Sequence, residues 1–163
     1  QLYFGVHRNT GAATDTLLGQ SVASGSYIYL YQMIESPPAP FSFTSAQLSV
    51  TALTGMVTSH ALIDGRAIAS NGDVLLPAAG TVGGTSTLDT NSVSASFGSG
   101  PQARSSILFV TSILSPIVGG GSVSSSEGTD VFIAPVAVPL PAALGLFAMG
   151  VPVLVFGRKL LQK

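Results

Sequence analysis

A chain of 163 residues and 16.4 kDa is long enough to bury one core of ordinary size. Only 8% of its residues are charged and its formal net charge is −1, so it carries no electrostatic footprint for nucleic acid. It has no Cys, which excludes disulfide scaffolds, thiolate zinc sites, iron–sulfur clusters and a lipoprotein-type anchor, while a hydrophobic share of 46% argues against a wholly disordered chain.

In chain order, residues 1–130 are short apolar-alternating runs separated by Gly, Pro, Asn and Asp, the pattern of an all-β domain. The stretch Thr14 to Ala23 predicts a turn. Tyr27 to Ile34 is the strongest strand, stopped by Ser36-Pro37-Pro38-Ala39-Pro40. Tyr27, Tyr29 and Tyr31 share one face of it at period two, and Ile28, Leu30 and Ile34 share the other, so both faces call for a cover. The tyrosine face suits either a partner protein or saccharide, since tyrosine offers a large contact area with a polar tip, or the interior of the domain.

Phe43 to Leu53 follows as a second strand, and then a three-strand meander is expected. In it Met56 to Ile63 turns at Asp64-Gly65 into Arg66 to Ser70, which turns at Asn71-Gly72 into Asp73 to Leu76. Thr85 to Leu88, Ser92 to Phe97 and Ser105 to Leu114 complete the set. The expected fold is mainly β: an antiparallel β-sandwich of immunoglobulin-like or jelly-roll type over residues 1–118, followed by one C-terminal transmembrane α-helix. Residues 119–138, opening with Gly119-Gly120-Gly121-Ser122, holding Pro135 and leading to Pro139, read as a Gly/Ser- and Pro-rich linker, with a final strand as the alternative.

Chemistry-bearing residues are few. His7 and His60 are the two imidazoles, and His60 with Asp64 would share a helix face but falls on a strand entering a turn. No Gly-x-Ser-x-Gly elbow, phosphate loop or dinucleotide fingerprint is present. Asp73 beside Asn71-Gly72, and Asp89 near Asn91, suit turns or caps better than calcium. No enzyme activity, cofactor or metal is expected.

Charge is distributed unevenly. Residues 1–130 hold all seven acids and three arginines, whereas residues 131–163 hold Arg158, Lys159, Lys163 and no acid. Val131 to Gly157 carries no charge at all. Its prolines keep the first part extended, and Pro141 opens a helix because the first turn needs no amide hydrogen from it. From Pro139 to Gly157, at ~1.5 Å per residue, a helix reaches ~28 Å, close to the thickness of a hydrocarbon core. Residues 139–163 are therefore expected to be a transmembrane helix anchored by Pro141, Leu144, Leu146, Phe147, Pro152, Leu154 and Phe156. Arg158 and Lys159 form its cytoplasmic end and the N-terminal domain lies outside. Pro152 should kink the helix. Ala143, Gly150 and Gly157 recur every seven residues as a small-residue stripe along which another helix can pack. The chain begins at Gln1 without a charged-then-apolar leader, which reads as a mature chain after signal removal.

The string Val138-Pro139-Leu140-Pro141-Ala142-Ala143, the apolar helix and Arg158-Lys159 together resemble the PEP-CTERM sorting tail of exported proteins in Gram-negative bacteria. Leu140 stands where the more usual Val-Pro-Glu-Pro form has Glu. The resemblance implies recognition of Val138, Pro139, Leu140 and Pro141 by exosortase, and covers the tail alone. Two functions are expected from these features. One is a non-catalytic, single-pass protein of the bacterial inner membrane whose periplasmic β-domain and helix serve as an accessory or scaffold subunit of a larger complex, respiratory or photosynthetic. The helix has no His to ligate haem or a chlorophyll-type pigment. The other is an exosortase-sorted surface or matrix protein that binds polysaccharide or self-associates. The expected partners are membrane lipid and other membrane-protein subunits, or polysaccharide or a second copy, but no nucleic acid.

Overall fold

The computed structural model describes residues 1–137 apart from 12, 14, 35–42, 44, 53, 76, 79 and 127. Among these, the strands are β1 (Leu2–Arg8), β2 (Asp15–Leu17), β3 (Gln20–Val22), β4 (Tyr27–Met33), β5 (Ala46–Thr51), β6 (Val57–Ile63) and β7 (Ala67–Ile68). They continue with β8 (Val74–Leu75), β9 (Gly84–Leu88), β10 (Ser92–Phe97), β11 (Ile107–Ser112), β12 (Ile117–Ser125) and β13 (Gly128–Val136). The fold is mainly β, with two antiparallel sheets ordered β1-β4-β11-β6 and β13-β12-β5-β10-β9. Among the described residues no helix is long and apolar enough to cross a membrane.

Strand β4 shows why both of its faces are apolar. Its odd-numbered side chains, Tyr29, Tyr31 and Met33, enter a core shared with Leu48 and Val50 of β5, Val93 and Ala95 of β10, and Val136 of β13. Its even-numbered Ile28 and Leu30 enter a second core with Val22, Ile68, Ile107 and Phe109. That second core lies on the other face of the four-stranded sheet, under the β2–β3 and β7–β8 hairpins. Gln32 sits fully buried in the same row. Its Nε2 donates to the carbonyls of Arg66 (2.8 Å) and Ser105 (2.7 Å), and its Oε1 accepts from the Ile68 amide (2.8 Å). The amide thus latches β7 onto β4 while satisfying three backbone groups that would otherwise be buried unpaired.

The central pairings nest around one another. β4 pairs with β11, β5 with β10 and β7 with β8. Between these, β6 lies beside β9, where His60 Nδ1 is 3.1 Å from Ser86 Oγ. β6 and β9 are edge strands of different sheets, so their approach draws that side of the two sheets together. The opposite side is bounded by β1 and β13, each with one unpaired edge among the described residues.

Three expectations are corrected here. The meander does not form: β6 pairs with β11, which is buried along its whole length and needs a neighbour on each edge. After the loop at Asp64-Gly65, only β7 and β8 make a hairpin. Its turn at Asn71-Gly72 carries positive φ at Gly72 (88°), and the Gly72 amide donates to Ala69 (2.9 Å). The stretch Thr14 to Ala23 does hold a turn, at Leu18-Gly19 with φ of 54° and 79°, but it closes a hairpin of two short strands, β2 and β3, that was not expected. Leucine is an unfavourable choice at positive φ, and burial of Leu18 against the second core compensates. The third correction concerns residues 119–136, which are not a linker but the two long strands β12 and β13, paired from Ile117↔Val136 to Ser125↔Gly128. The glycines of β12 belong there for steric reasons. A Cβ on Gly121 would collide with the Phe132 ring of β13 and the Ser49 carbonyl of β5, and one on Gly119 would collide with Val136. Phe132 lies directly across from Gly121 and covers it, so the pair keeps a glycine-rich strand packed.

Candidate functional site

The three-tyrosine face does not form a partner surface. Tyr29 and Tyr31 are buried between the sheets, because β4 has a neighbour on each side and the five-stranded sheet above it. Both phenols are satisfied: Tyr29 Oη donates to the Leu114 carbonyl (2.7 Å) and Tyr31 Oη to the Pro135 carbonyl (2.5 Å). Burial pushes the Tyr29 phenol up from 10.0 to about 12, with repulsion from Tyr27 as a smaller cause. Tyr31 is raised further, again by burial first and by Tyr29 second. Tyr27 is only partly buried, with the Arg8 guanidinium 5.3 Å from its ring centroid. The tyrosines are tethers, holding β4 to the loop before β12 and to β13.

The surface that does stand out is the outward face of the β12–β13 hairpin. Register sets Val118 across from Pro135, Gly120 across from Ile133 and Ser122 across from Val131. Val118 is 81% exposed, Val131 85% and Ile133 75%. The outward positions of the neighbouring strands are polar: Gln47, Ser49 and Thr51 on β5, Ser94 and Ser96 on β10, Thr85 and Thr87 on β9. The aliphatic patch is therefore confined to one edge of a sheet face otherwise lined by hydroxyls and an amide. It continues into a cleft of about 380 Å³ lined by Phe4 of β1 and by residues 116–118 and 133–135.

The patch is also graded along the hairpin. The far end, around the turn, is polar: Ser124, Ser125, Thr129 and Asp130, with Ser124 and Thr129 hydroxyls 2.9 Å apart. The near end is apolar and includes Ile113, 60% exposed, and Pro116 in the loop that leads into β12. This near end is where β13 delivers the chain to Ala137, bridged to Ala52 just beyond β5.

The other chemistry-bearing groups are occupied structurally. His60 meets Ser86, while the Asp64 carboxylate accepts from the Ser106 hydroxyl, so the two are not brought together. His7 Nε2 lies 3.3 Å from the Gly72 carbonyl, where the turn of the β7–β8 hairpin crosses β1 at Gly5. Asp73 accepts from Asn71 (2.6 Å) within its own turn. A recess of about 230 Å³ is lined by His7, Arg8 and Asn9 together with Leu17, Val22 and Ile28. The Asn9 amide donates to Val22 (2.9 Å) and Ala13 (3.1 Å) and accepts from Gly11 (2.9 Å), which leaves it committed to the loop. Among the described residues no group of three or more His, Asp or Glu could hold a metal ion.

The remaining sequence-predicted residues lie outside the described ones. These are Val138, Pro139, Leu140 and Pro141 of the sorting motif, and Leu144, Leu146, Phe147, Pro152, Leu154, Phe156, Arg158 and Lys159 of the anchor. Ala143, Gly150 and Gly157 of the packing stripe lie outside them too. The hairpin face escaped sequence reasoning because glycines masked β12, although the double-phase apolar run from Val131 to Val136 was its visible signal. Compared with known proteins, the chain matches no family model, and neither a curated protein nor a solved structure is similar to it.

Proposed function

We propose that this chain is a non-catalytic protein of the bacterial envelope. In this reading its β-domain is tethered to the outer side of the inner membrane by a single helix over residues 139–163 and serves as an accessory or scaffold subunit of a larger membrane assembly. The observation that carries the reading is the aliphatic face of β12–β13, whose exposed Val131 and Ile133 belong to the charge-free sequence Val131 to Gly157. A sheet face this apolar at its edge is suited to being covered. The nested strand pairing supports a jelly-roll-type winding of the sandwich over an immunoglobulin-like one.

A second reading is favoured by a separate feature. The Val138-Pro139-Leu140-Pro141 string starts directly after Ala137, just past the last strand among the described residues, a position suited to a processing enzyme. Here the chain is a substrate of exosortase, destined for the cell surface or matrix, where the β-domain binds polysaccharide or self-associates. Intact-mass measurement of the protein from its native membranes separates the two. A C-terminus at Lys163 with stoichiometric co-purification in mild detergent supports the subunit. Loss of the residues after the Val-Pro-Leu-Pro region, with recovery in the envelope matrix, supports sorting. A full-length chain recovered free of membranes and partners overturns both.

A further inference from the structure

We infer that the base of the β12–β13 hairpin, formed by Val118 and Ile133, rests in the outer interfacial layer of the phospholipid bilayer, with the hairpin's polar turn directed away from it. This rests on the membrane-anchored reading and adds an orientation to it. Occupancy by lipid follows from where the chain goes next. β13 ends at Val136, Ala137 is the last described residue, and residues 138–157 continue with no charged side chain before Arg158. A domain joined to a membrane span with no polar spacer is held close to the lipid surface.

Distances along the strand then decide which side chains meet lipid. At ~3.3 Å per residue, Ile133 lies ~13 Å of strand from Ala137 and Thr129 lies ~26 Å from it. Interfacial apolar surfaces are buried ~5–10 Å into the headgroup–acyl boundary, so a tilted hairpin can immerse Ile133 and Val118 but not Thr129. The residue types follow that division, with Val118 and Ile133 toward the base, Ser124, Thr129 and Asp130 toward the turn, and Val131 between them. Exposed Ile113 and Pro116 extend the apolar rim at the same end. A patch meant for a second copy through the free β13 edge would have no reason to be graded in this direction.

The chain has no Trp, so a single introduced indole reports alone. The test uses the full chain in vesicles of phosphatidylethanolamine and phosphatidylglycerol, with and without lipids brominated in the upper acyl chain. Single substitutions Ile133→Trp, Val118→Trp, Thr129→Trp and Leu154→Trp are compared. Positions 133 and 118 are exposed enough to accept an indole without repacking. Should one disturb the circular dichroism of the fold, the other, on the partner strand, still reads the face. Blue-shifted, bromine-quenched emission at 133 and 118, with water-like unquenched emission at 129, is the expected result. Water-like emission at 133 and 118 while Leu154→Trp is quenched overturns the inference and leaves the anchor standing. Blue-shifted but unquenched emission at 133 and 118 means that protein, such as a second copy, covers the face, and also overturns it. No quenching at 154 removes the anchor and the inference together.

Discussion

Replacing Gln32 by Leu is expected to destabilise the domain far more than its small change in volume suggests. Gln32 is fully buried, and its amide serves the Arg66 carbonyl, the Ser105 carbonyl and the Ile68 amide. Leucine removes all three partners at once and gives water no route in. Each orphaned buried group costs ~1–3 kcal/mol, the N–H being the worst because it has no second way to bond. Extra apolar burial by leucine returns part of that, so a net loss of ~3–5 kcal/mol follows. Against a total stability of ~5–15 kcal/mol for a domain, this is a severe change. Equilibrium urea unfolding of the full chain in mild detergent, followed by circular dichroism, measures the loss. Amide exchange at Ile68 measures whether the β7–β8 hairpin has come unlatched. Gln32→Glu sharpens the reasoning, since an ionised carboxylate can accept from Ile68 but cannot donate to either carbonyl. That variant should be more stable in mild acid, where the carboxyl is protonated, than at neutral pH. A loss below ~1 kcal/mol for Gln32→Leu, with Ile68 exchange unchanged, would refute the latch.

Gly121→Ala should cost ~1–3 kcal/mol because its Cβ meets the fixed Ser49 carbonyl and the Phe132 ring, whereas Gly120→Ala, whose nearest neighbour is the Phe132 carbonyl at 3.3 Å, should be nearly neutral in the same unfolding assay. Leu48→Ala and Leu30→Ala, both fully buried, should each cost ~2–5 kcal/mol. Leu30 should fall lower in that range, because the short hairpins over the second core can collapse onto the space. The raised phenols of Tyr29 and Tyr31 are protonated in the folded chain at pH values where an unfolded phenol ionises. Their contribution is therefore complete below pH 10.0 and is lost as pH rises toward and beyond about 12, so tyrosinate absorbance from these two residues should appear together with loss of the β signal in circular dichroism. Tyrosinate absorbance from all four tyrosines before any loss of structure would contradict their burial.

Strands with one apolar phase were legible in the sequence, and those with special backbone chemistry were not. Ser92–Phe97 was recovered with its exact ends because Val93, Ala95 and Phe97 alternate with serines. Tyr27–Met33 was equally clear, but the choice between partner and core for its tyrosines was a question about which strands flank it, and pairing is non-local. In Thr14 to Ala23 the turn was legible but β2 and β3 were not, because each is three residues long and Leu18 is held at positive φ by packing on the second core. β12 was hidden because glycine reads as flexibility, when here it makes room for Phe132 and Val136. In each case the missing information was a neighbour from another part of the chain. The candidate site shared that fate, since Val131 and Ile133 become an exposed row only once β12 is known to be a strand.

The low charge and the aliphatic edge bear on each other. A protein with 8% charged residues has little electrostatic repulsion to keep its copies apart. Over most of the five-stranded sheet, solvation falls instead to hydroxyls and an amide, as with Ser94 donating to Ser49 (3.2 Å) and Thr51 donating to the Gly120 carbonyl (2.8 Å). That substitution stops at β13, the one strand of the sheet with both an unpaired edge and an aliphatic outward row. No lysine guards it, since Lys159 and Lys163 are the only lysines and both lie in the tail. Pro135 interrupts donation along the edge at one point only. Such an edge is a hazard on a freely diffusing domain and harmless on one whose apolar row is immersed. The distribution of polar groups across this sheet therefore makes physical sense under the proposed anchoring, in which the domain is never released from the lipid surface.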